Sequence, residues 1–134
     1  MDQSEFETLA AFRSSLRRFL KFSEASAGAA GLTPQAYQAL LAIKGCPDRK
    51  RLTVGDLAEQ LLIKHNSAVG LADRMVAQGY VKRQLDGNDK RRVFLLLTAK
   101  GETLLSEVAR RNKSKLIEMR SDFHNLLSRL DELS

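Results

Sequence analysis

Five basic side chains surround a predicted turn in the second half of this chain, and the chemistry they offer is anion binding. They are Lys82, Arg83, Lys90, Arg91 and Arg92. Two short strand-like runs, residues 81–85 and 93–97, flank residues 86–89, whose Asp, Gly and Asn residues suit hairpin loops. The pattern predicts a β-hairpin with a positive tip. Ammonium and guanidinium groups on a projecting tip favour phosphate as the ligand.

Residues that usually perform catalysis or bind metals are few and scattered. His65 and His124 are far apart and fall in different predicted elements, and no His or Cys group has metal-ligand spacing. The sequence also has no phosphate-loop motif and no nucleophile elbow. We therefore predict that the protein is not an enzyme and needs no cofactor or metal.

Composition is consistent with an intracellular binding protein. The chain has 134 residues, 43% of them hydrophobic and 28% charged, which suits one globular domain. No apolar run approaches the ~20 residues that span a bilayer, and residues 1–8 do not resemble a signal peptide. The single Cys46 excludes an intrachain disulfide. We expect a soluble, cytoplasmic protein with no membrane partner, in which Cys46 is either a redox sensor or, as we favour, an ordinary, partly buried thiol.

The charge is concentrated near the predicted hairpin. The net charge is +6, and residues 64–92 contain seven Lys or Arg against three Asp. A local excess of this kind attracts polyanions, although a merely solvated basic surface would look similar. The charge favours nucleic acid or an anionic membrane surface as the partner, and charge alone does not choose among DNA, RNA and lipid.

Two helices precede the basic region. Apolar residues at helical spacing predict a first helix over residues 4–24, followed by a weakly structured connection over residues 23–31. Thr33 is a plausible N-cap with Pro34 at the first helical position, and the second helix should end at Gly45.

The next elements form a compact pair of helices. Thr53 and Asp56 have the spacing of a capping box, which predicts a short helix there. A second buried stripe runs over residues 68–76, and Gly79 is suited to the left-handed position that ends a helix. Two short helices followed at once by a basic hairpin make a winged helix-turn-helix. The fold class is therefore mostly α with a small β-hairpin wing (α+β).

The C-terminal part of the sequence predicts further helical structure. Thr98 can cap it, and it is either one long helix or two, with a new start at Ser121 or Asp122. The apolar stripe of this segment packs either inside one chain or between two chains. The first helix also has an apolar face that must be buried, so we favour a homodimer. The predicted dimer interface consists of Phe6, Leu9, Leu116, Met119, Phe123, Leu126, Leu130 and Leu133.

Three segments resemble the MarR (multiple antibiotic resistance regulator) family of winged helix-turn-helix transcription factors. They are LTVGDLAEQL (52–61), SAVGLADRMVAQGYV (67–81) and LDGNDKRRVFLLLTAKG (85–101). The third is the most specific, because Asp89 and Arg91 precede an apolar strand that ends in Leu-Thr and a Lys-Gly helix start. The resemblance implies one domain over 1–134, with the winged helix-turn-helix at about 32–101 and dimerisation helices at about 4–28 and 102–133.

The helix after the turn should enter the major groove with its first residues at the base edges. Asn66 can bond an adenine edge, Ser67 a base or phosphate, and Val69 a thymine methyl. Asn66 and Ser67 can instead cap the helix, and with Asn66 as cap the helix starts about two residues later. The predicted DNA-binding residues of this helix are Lys64, His65, Asn66, Ser67, Val69 and Arg74.

The wing should contact the minor groove. Arg91, held by Asp89, can insert there, or the two can form an ion pair that only shapes the loop. Lys82, Arg83, Lys90 and Arg92 would add sequence-independent attraction to phosphate.

The resemblance also implies a small aromatic or lipophilic effector that binds between the dimer helices and the DNA-binding lobe. Phe12, Phe19 and Tyr37 can line such a cleft, or they can belong to the core. We favour a homodimeric transcriptional repressor that binds double-stranded DNA at a pseudo-palindromic operator. The alternative is a winged-helix module for protein interaction or low-specificity DNA organisation.

Overall fold

The computed structural model describes residues 1–47, 51–89 and 91–133, and the side chain of Leu133 lies outside this description. Within these residues six helices accompany a three-stranded antiparallel sheet. The elements are α1 (Gln3–Ala29), α2 (Pro34–Lys44), β1 (Leu52–Thr53), α3 (Val54–Leu61), α4 (His65–Ala77), β2 (Val81–Leu85), β3 (Val93–Leu97), α5 (Ala99–Glu118) and α6 (Arg120–Leu133). The predicted fold class, mostly α with a small β wing, is confirmed.

Helix α1 is longer than the sequence predicted. The expected weak connection over residues 23–31 is wrong, because the helix continues to Ala29. The alanines of this stretch favour helix, and Ser26 and Ala27 are buried. The chain turns at Gly31, whose φ is +80°, while the Leu32 N–H donates to the Ala27 carbonyl at 2.9 Å. This arrangement is a Schellman motif, in which a left-handed glycine closes the helix.

Helix α2 has the predicted ends. The hydroxyl of Thr33 accepts the Ala36 N–H at 3.1 Å, Pro34 is the first helical residue, and Gly45 follows the last turn. Leu41 is 45% exposed, whereas Ile43 is buried. This helix packs against α3, α5 and β3, so two of its sides contribute to the core.

The sheet has the order β1-β3-β2. Both hairpin strands have the predicted bounds, but β1 was not predicted, because a two-residue strand has no periodicity to detect. In the register, Phe94 pairs with Gln84 and Thr53, and Leu95 pairs with Arg83 and Leu52. Since alternate residues of a strand face opposite sides, the two rows lie on different faces of the sheet.

The helix-turn-helix consists of α3 and α4. Thr53 and Asp56 form the predicted capping box at the start of α3. The turn contains Leu62 in the left-handed conformation, with φ 56°. Helix α4 begins at His65 with Lys64 as N-cap and without a side-chain cap, so the alternative start at Asn66 is wrong.

The C-terminal segment is two helices. Helix α5 ends at Glu118, and α6 begins at Arg120, one residue before the earlier of the two predicted starts. Both helices pack against α1, and the rings of Phe12 and Phe123 meet edge to face at 5.9 Å. Met119 and Leu126 are buried in this packing. The largest fully buried apolar side chains of the whole core are Leu40, Leu57, Met75, Leu95 and Val108.

Candidate nucleic-acid interface

Helix α4 presents a polar, exposed amino end. The first four residues that the sequence assigned to DNA, Lys64, His65, Asn66 and Ser67, are all exposed. None of these side chains caps the helix, so capping does not occupy the amide of Asn66 or the hydroxyl of Ser67. Val69 lies two residues further along the helix and is 39% exposed. These groups are therefore accessible to a ligand that lies along the outer side of α4.

Arg74 lies further along the exposed side of the same helix. A Cβ built at Gly70 would lie 3.4 Å from Nη1 of Arg74, so the guanidinium rests beside the backbone one turn earlier. The glycine, which costs helix stability, leaves space for the arginine there. The guanidinium of Arg74 therefore lies closer to the amino end of α4 than its Cα does.

Arg83 on β2 pairs with Asp73 on α4. The side chains are 42% and 60% exposed, respectively. The ion pair joins the hairpin to the middle of α4. Arg83, which the sequence predicted to attract phosphate, therefore has a carboxylate partner within the protein.

The turn between β2 and β3 is ordered by two aspartates. The carboxylate of Asp86 accepts the Asn88 N–H at 3.0 Å, and that of Asp89 accepts the Arg91 N–H at 3.0 Å. The Arg92 N–H also donates to the Asp89 carbonyl at 3.0 Å. These Asx-type bonds replace a tight two-residue turn with a longer loop of defined shape.

Arg91 projects from this turn. Its side chain is 94% exposed, and its Nε lies 3.6 Å from Oδ1 of Asp89. The carboxylate is therefore beside one edge of the guanidinium, and the rest of the group faces solvent. Lys90, the neighbouring predicted contact, lies outside the described residues.

Hydrogen bonds join the base of the hairpin to the end of α4. The Thr98 hydroxyl contacts the Gly79 and Tyr80 carbonyls at 2.6 and 3.1 Å and accepts the Gly101 N–H at 3.1 Å. A Cβ at Gly101 would lie 2.1 Å from the Tyr80 carbonyl oxygen. Only glycine permits this approach, so α4, the hairpin and α5 meet at one rigid junction.

Lys82 and Arg92 lie on the face of the sheet that points away from α4. A third cation on this face, Arg51, was not predicted from the sequence, and its Cζ lies 4.5 Å from the centre of the Phe94 ring. Arg92 lies over the same ring at 5.4 Å. The only sequence signal for Arg51 was its place in a basic loop before an unpredicted strand.

A cleft of about 790 Å³ opens between α1, α2 and α5. Of the three residues proposed for an effector cleft, Phe19 and Tyr37 line this one, whereas Phe12 packs on Phe123. Asn112 also lines it, with Nδ2 donating to the Ser23 hydroxyl at 2.9 Å. The remaining lining is mostly apolar and includes Leu20, Leu41, Leu116 and Ile117.

The predicted dimer residues divide into two groups. Phe6, Leu9 and Leu116 are 55%, 43% and 44% exposed, so these large apolar side chains are uncovered in the single chain. Met119 and Leu126 are buried and Phe123 and Leu130 half-buried, largely by packing between α1 and α6. Leu133 lies at the end of α6, and its side chain is not described.

Metal binding, thiol chemistry and membrane insertion were also considered for the described residues. Among residues 1–47, 51–89 and 91–133, no group of three His, Cys, Asp or Glu side chains can hold a metal ion. Cys46 is a free thiol, half-buried against the core. No helix in the described part of the chain is both long and apolar enough to cross a membrane.

A sequence profile of the MarR family matches residues 30–92, which contain the helix-turn-helix and most of the hairpin. Over these residues the chain is similar to the MarR family. MarR proteins are transcription regulators rather than enzymes. The hairpin is accordingly called the wing below, and it comprises β2, β3 and the residues between them.

Two MarR-like relatives have regulatory names. The chain is 34% identical over 100 residues to YcgE, an uncharacterized HTH-type transcriptional regulator of Bacillus subtilis, across 72% of this chain and 63% of YcgE. It is 43% identical over 53 residues to FarR, an HTH-type transcriptional regulator of Neisseria gonorrhoeae, across 40% of this chain and 36% of FarR. The matches thus span less than two thirds of each relative.

Solved structures of the family have the same fold. A mutant of S. aureus MepR bound to an oligodeoxyribonucleotide superposes with a TM-score of 0.69 at 19% identity, covering 92% of this chain and 95% of that one. At this identity the likeness establishes the shared winged-helix architecture.

Proposed function

We propose that this MarR-like chain is a homodimeric repressor that binds double-stranded DNA at a pseudo-palindromic operator. The observation that carries the proposal is the wing tip, where Asp89 accepts the backbone N–H of an arginine whose side chain is 94% exposed. A second exposed polar surface, the amino end of α4, belongs to the same lobe. One module therefore offers both a projecting arginine and an uncapped helix end to a polyanion.

Helix α4 is the proposed reader of the major groove. A groove about 12 Å wide admits one helix, and the residues at its amino end approach the base edges. The free amide of Asn66 suits an adenine edge, Ser67 suits a base or a phosphate, and Val69 suits a thymine methyl. Lys64 and His65 are proposed to contact phosphate, as is Arg74.

The wing is the proposed reader of the minor groove. Arg91 enters the narrow, negative groove, and the bond from its backbone N–H to Asp89 holds the main chain from which its side chain projects. Arg92 and Lys82 add attraction that is independent of sequence. Arg83 contributes less, because its charge is shared with Asp73.

Dimerisation is supported by the apolar surface that the chain leaves uncovered. Phe6 and Leu9 on α1 and Leu116 on α5 are large and exposed, and burying them removes apolar area from water. In a twofold dimer, two recognition helices about 34 to 36 Å apart would read two half-sites on one side of the duplex. The operator would then be a pseudo-palindrome.

The cleft between α1, α2 and α5 is the proposed effector site. Its volume of about 790 Å³ and mostly apolar lining suit a small aromatic or lipophilic molecule. A molecule seated between Phe19 and Tyr37 contacts both a proposed dimerisation helix and the lobe that carries α4. Binding there would change the spacing of the two recognition helices and release the operator.

Selection of bound duplexes from a random pool at physiological salt tests the proposal. We expect one pseudo-palindrome, bound by a dimer in light scattering. Arg91→Ala should weaken binding by at least about tenfold, whereas Arg110→Ala, which removes an exposed arginine of α5, should not. Equal binding to every duplex would indicate low-specificity DNA organisation, and no binding at all would indicate a protein-interaction module. Titration of the selected complex with aromatic acids tests the effector.

A further inference from the structure

Asn112 on α5 is the one residue in the described part of the chain whose side chain buries a polar atom without a hydrogen-bond partner. The residue is 5% exposed, and its amide nitrogen Nδ2 donates to the Ser23 hydroxyl on α1 at 2.9 Å. Its carbonyl oxygen Oδ1 has no donor among the described residues. A carbonyl that has lost water without gaining a donor costs stability, so folded proteins seldom keep one.

Asn112 lies in the wall of the cleft between α1, α2 and α5. Ser23 lies in the same wall, so the bond between the two side chains holds the carboxamide beside the cleft. That bond fixes Nδ2 and leaves Oδ1 on the other side of the planar group. Because the terminal torsion of an asparagine is broad, Oδ1 can turn toward a molecule in the cleft. The unpartnered acceptor is therefore within reach of a ligand bound there.

The rest of the cleft suits an apolar, ring-shaped molecule. The rings of Phe19 and Tyr37 lie in its wall, and most of the other lining is aliphatic. A polar atom in such a wall discriminates between ligands, because a ligand that places an apolar group against it leaves the atom unpaired. A hydroxyl or N–H group at the same place forms a hydrogen bond. The wall at Asn112 therefore favours a ligand with a donor.

The charges of the cleft do not favour an anion. Glu24 and Lys113 are the charged residues in its described lining, they have opposite signs, and both are exposed. A carboxylate ligand would thus meet no uncompensated cation in this lining. An ionised carboxylate also only accepts hydrogen bonds, so it cannot pair with Oδ1 of Asn112. A neutral donor is the group that fits this wall.

We propose that Asn112 selects the ligand of this cleft by accepting a hydrogen bond, and that the ligand is a neutral aromatic molecule with a hydroxyl or N–H group, such as a phenol. Its ring lies against Phe19 and Tyr37, and its donor meets Oδ1. Oδ1 has no water to lose on binding, because it is already buried, so the bond forms at little cost to the protein. This inference rests on the proposed function, because it needs the cleft to be a ligand site.

Three naphthalenes that differ in one substituent test the inference on the whole chain. In calorimetric titrations without DNA, 2-naphthol should bind about five- to tenfold more tightly than 2-methoxynaphthalene, whose ether oxygen has no hydrogen to donate. It should also bind more tightly than 2-naphthoate, an anion that only accepts hydrogen bonds. Equal affinities of the wild-type protein for the naphthol and its ether, or tightest binding of the naphthoate, would overturn the inference.

Asn112→Leu removes the acceptor and keeps a side chain of similar size. The variant should bind 2-naphthol and 2-methoxynaphthalene with affinities within about twofold of each other. Because it removes an unpartnered buried oxygen, it should also unfold at a urea midpoint no lower than that of the wild type. Gln38→Leu is the matched control: it removes an exposed amide from the same cleft and should keep the preference for 2-naphthol. A preference that persists in folded Asn112→Leu would contradict the inference.

Release of the selected duplex separates this inference from the proposed function. We expect 2-naphthol to release the duplex at a lower concentration than 2-methoxynaphthalene does. A preference that depends on Asn112, without release of DNA, would support the ligand assignment and contradict the effector role of the cleft. Equal release by the naphthol and its ether would support the effector role and overturn the inference. Binding of none of the three probes would count against both.

Discussion

The guanidinium of Arg83 on β2 pairs with the carboxylate of Asp73 on α4, and this contact joins the wing to the proposed recognition helix. The two residues are ten positions apart, and the turn at Gly79 brings them together. The ion pair therefore spans the two proposed DNA-contacting elements. It also reduces the charge available at Arg83 for phosphate.

A double-mutant cycle with Asp73→Asn and Arg83→Gln should measure this contact. Because both side chains are about half exposed, we expect a coupling free energy of about 0.2 to 1 kcal/mol in urea unfolding. The coupling should decrease at about 1 M salt, where the screening length falls to about 3 Å. A coupling that is zero at low salt would show that the pair does not hold the wing in solution.

Gly101→Ala should be strongly destabilising. The added Cβ would lie 2.1 Å from the Tyr80 carbonyl oxygen, so the backbone junction of α4, the wing and α5 must open. We expect a loss of about 1 to 3 kcal/mol in the free energy of unfolding, measured in urea. Gly28→Ala is the matched control: no atom lies within 4 Å of its Cβ position in α1, so it should raise stability by about 0.5 to 1 kcal/mol. Similar effects at both sites would contradict the close approach.

Thr98→Val should cost more than the loss of a helix cap. Thr33 and Thr98 both cap helices, but Thr98 also contacts the carbonyls of Gly79 and Tyr80. Thr33→Val should therefore cost about 1 kcal/mol, and Thr98→Val about 1 to 3 kcal/mol beyond that. Thermal and urea unfolding of the two variants give the comparison. Equal costs would mean that the extra contacts contribute nothing to stability.

The sequence predicts elements whose signals are local. The capping box of Thr53 and Asp56, the stop at Gly79 and the bounds of both wing strands depend on nearby residues, and the structure confirms them. The continuation of α1 past Ser23 was missed, because burial of Ser26 and Ala27 depends on packing against other helices. The α1 prediction therefore ended where local apolar periodicity ended.

The site residues, too, are predicted from the sequence only where the signal is local. The exposed amino end of α4 and the projecting Arg91 follow from local pattern and turn chemistry. The partners of Arg83 and Arg51 do not, because each pair depends on strand register or on a two-residue strand. A count of charges predicts a basic surface but does not say which cations are already paired.

Leu62→Gly should stabilise the protein. Leu62 has φ 56° in the turn between α3 and α4 and is 92% exposed, so it has the strain of a left-handed residue and almost no burial to lose. Glycine adopts this conformation without the Cβ clash, and we expect a gain of about 1 kcal/mol in urea unfolding. Leu62→Ala keeps a Cβ and should give little gain. If alanine stabilises as much as glycine, exposure of the leucine rather than its backbone conformation is the cause.

Asn66→Ala should change sequence preference without changing stability. Helix α4 has no side-chain cap, and Asn66 is exposed, so its removal should alter the free energy of unfolding by less than about 0.5 kcal/mol. If its amide bonds an adenine edge, discrimination at one position per half-site should fall by about 1 to 3 kcal/mol. The slope of log affinity against log salt should stay the same, because phosphate contacts govern it.

Repeating the duplex selection with Asn66→Ala, and measuring fluorescence anisotropy on the best site and on single-mismatch sites, checks this prediction. A reduced slope with unchanged discrimination would assign Asn66 to phosphate, and a loss of stability without relaxed preference would assign it to the helix start.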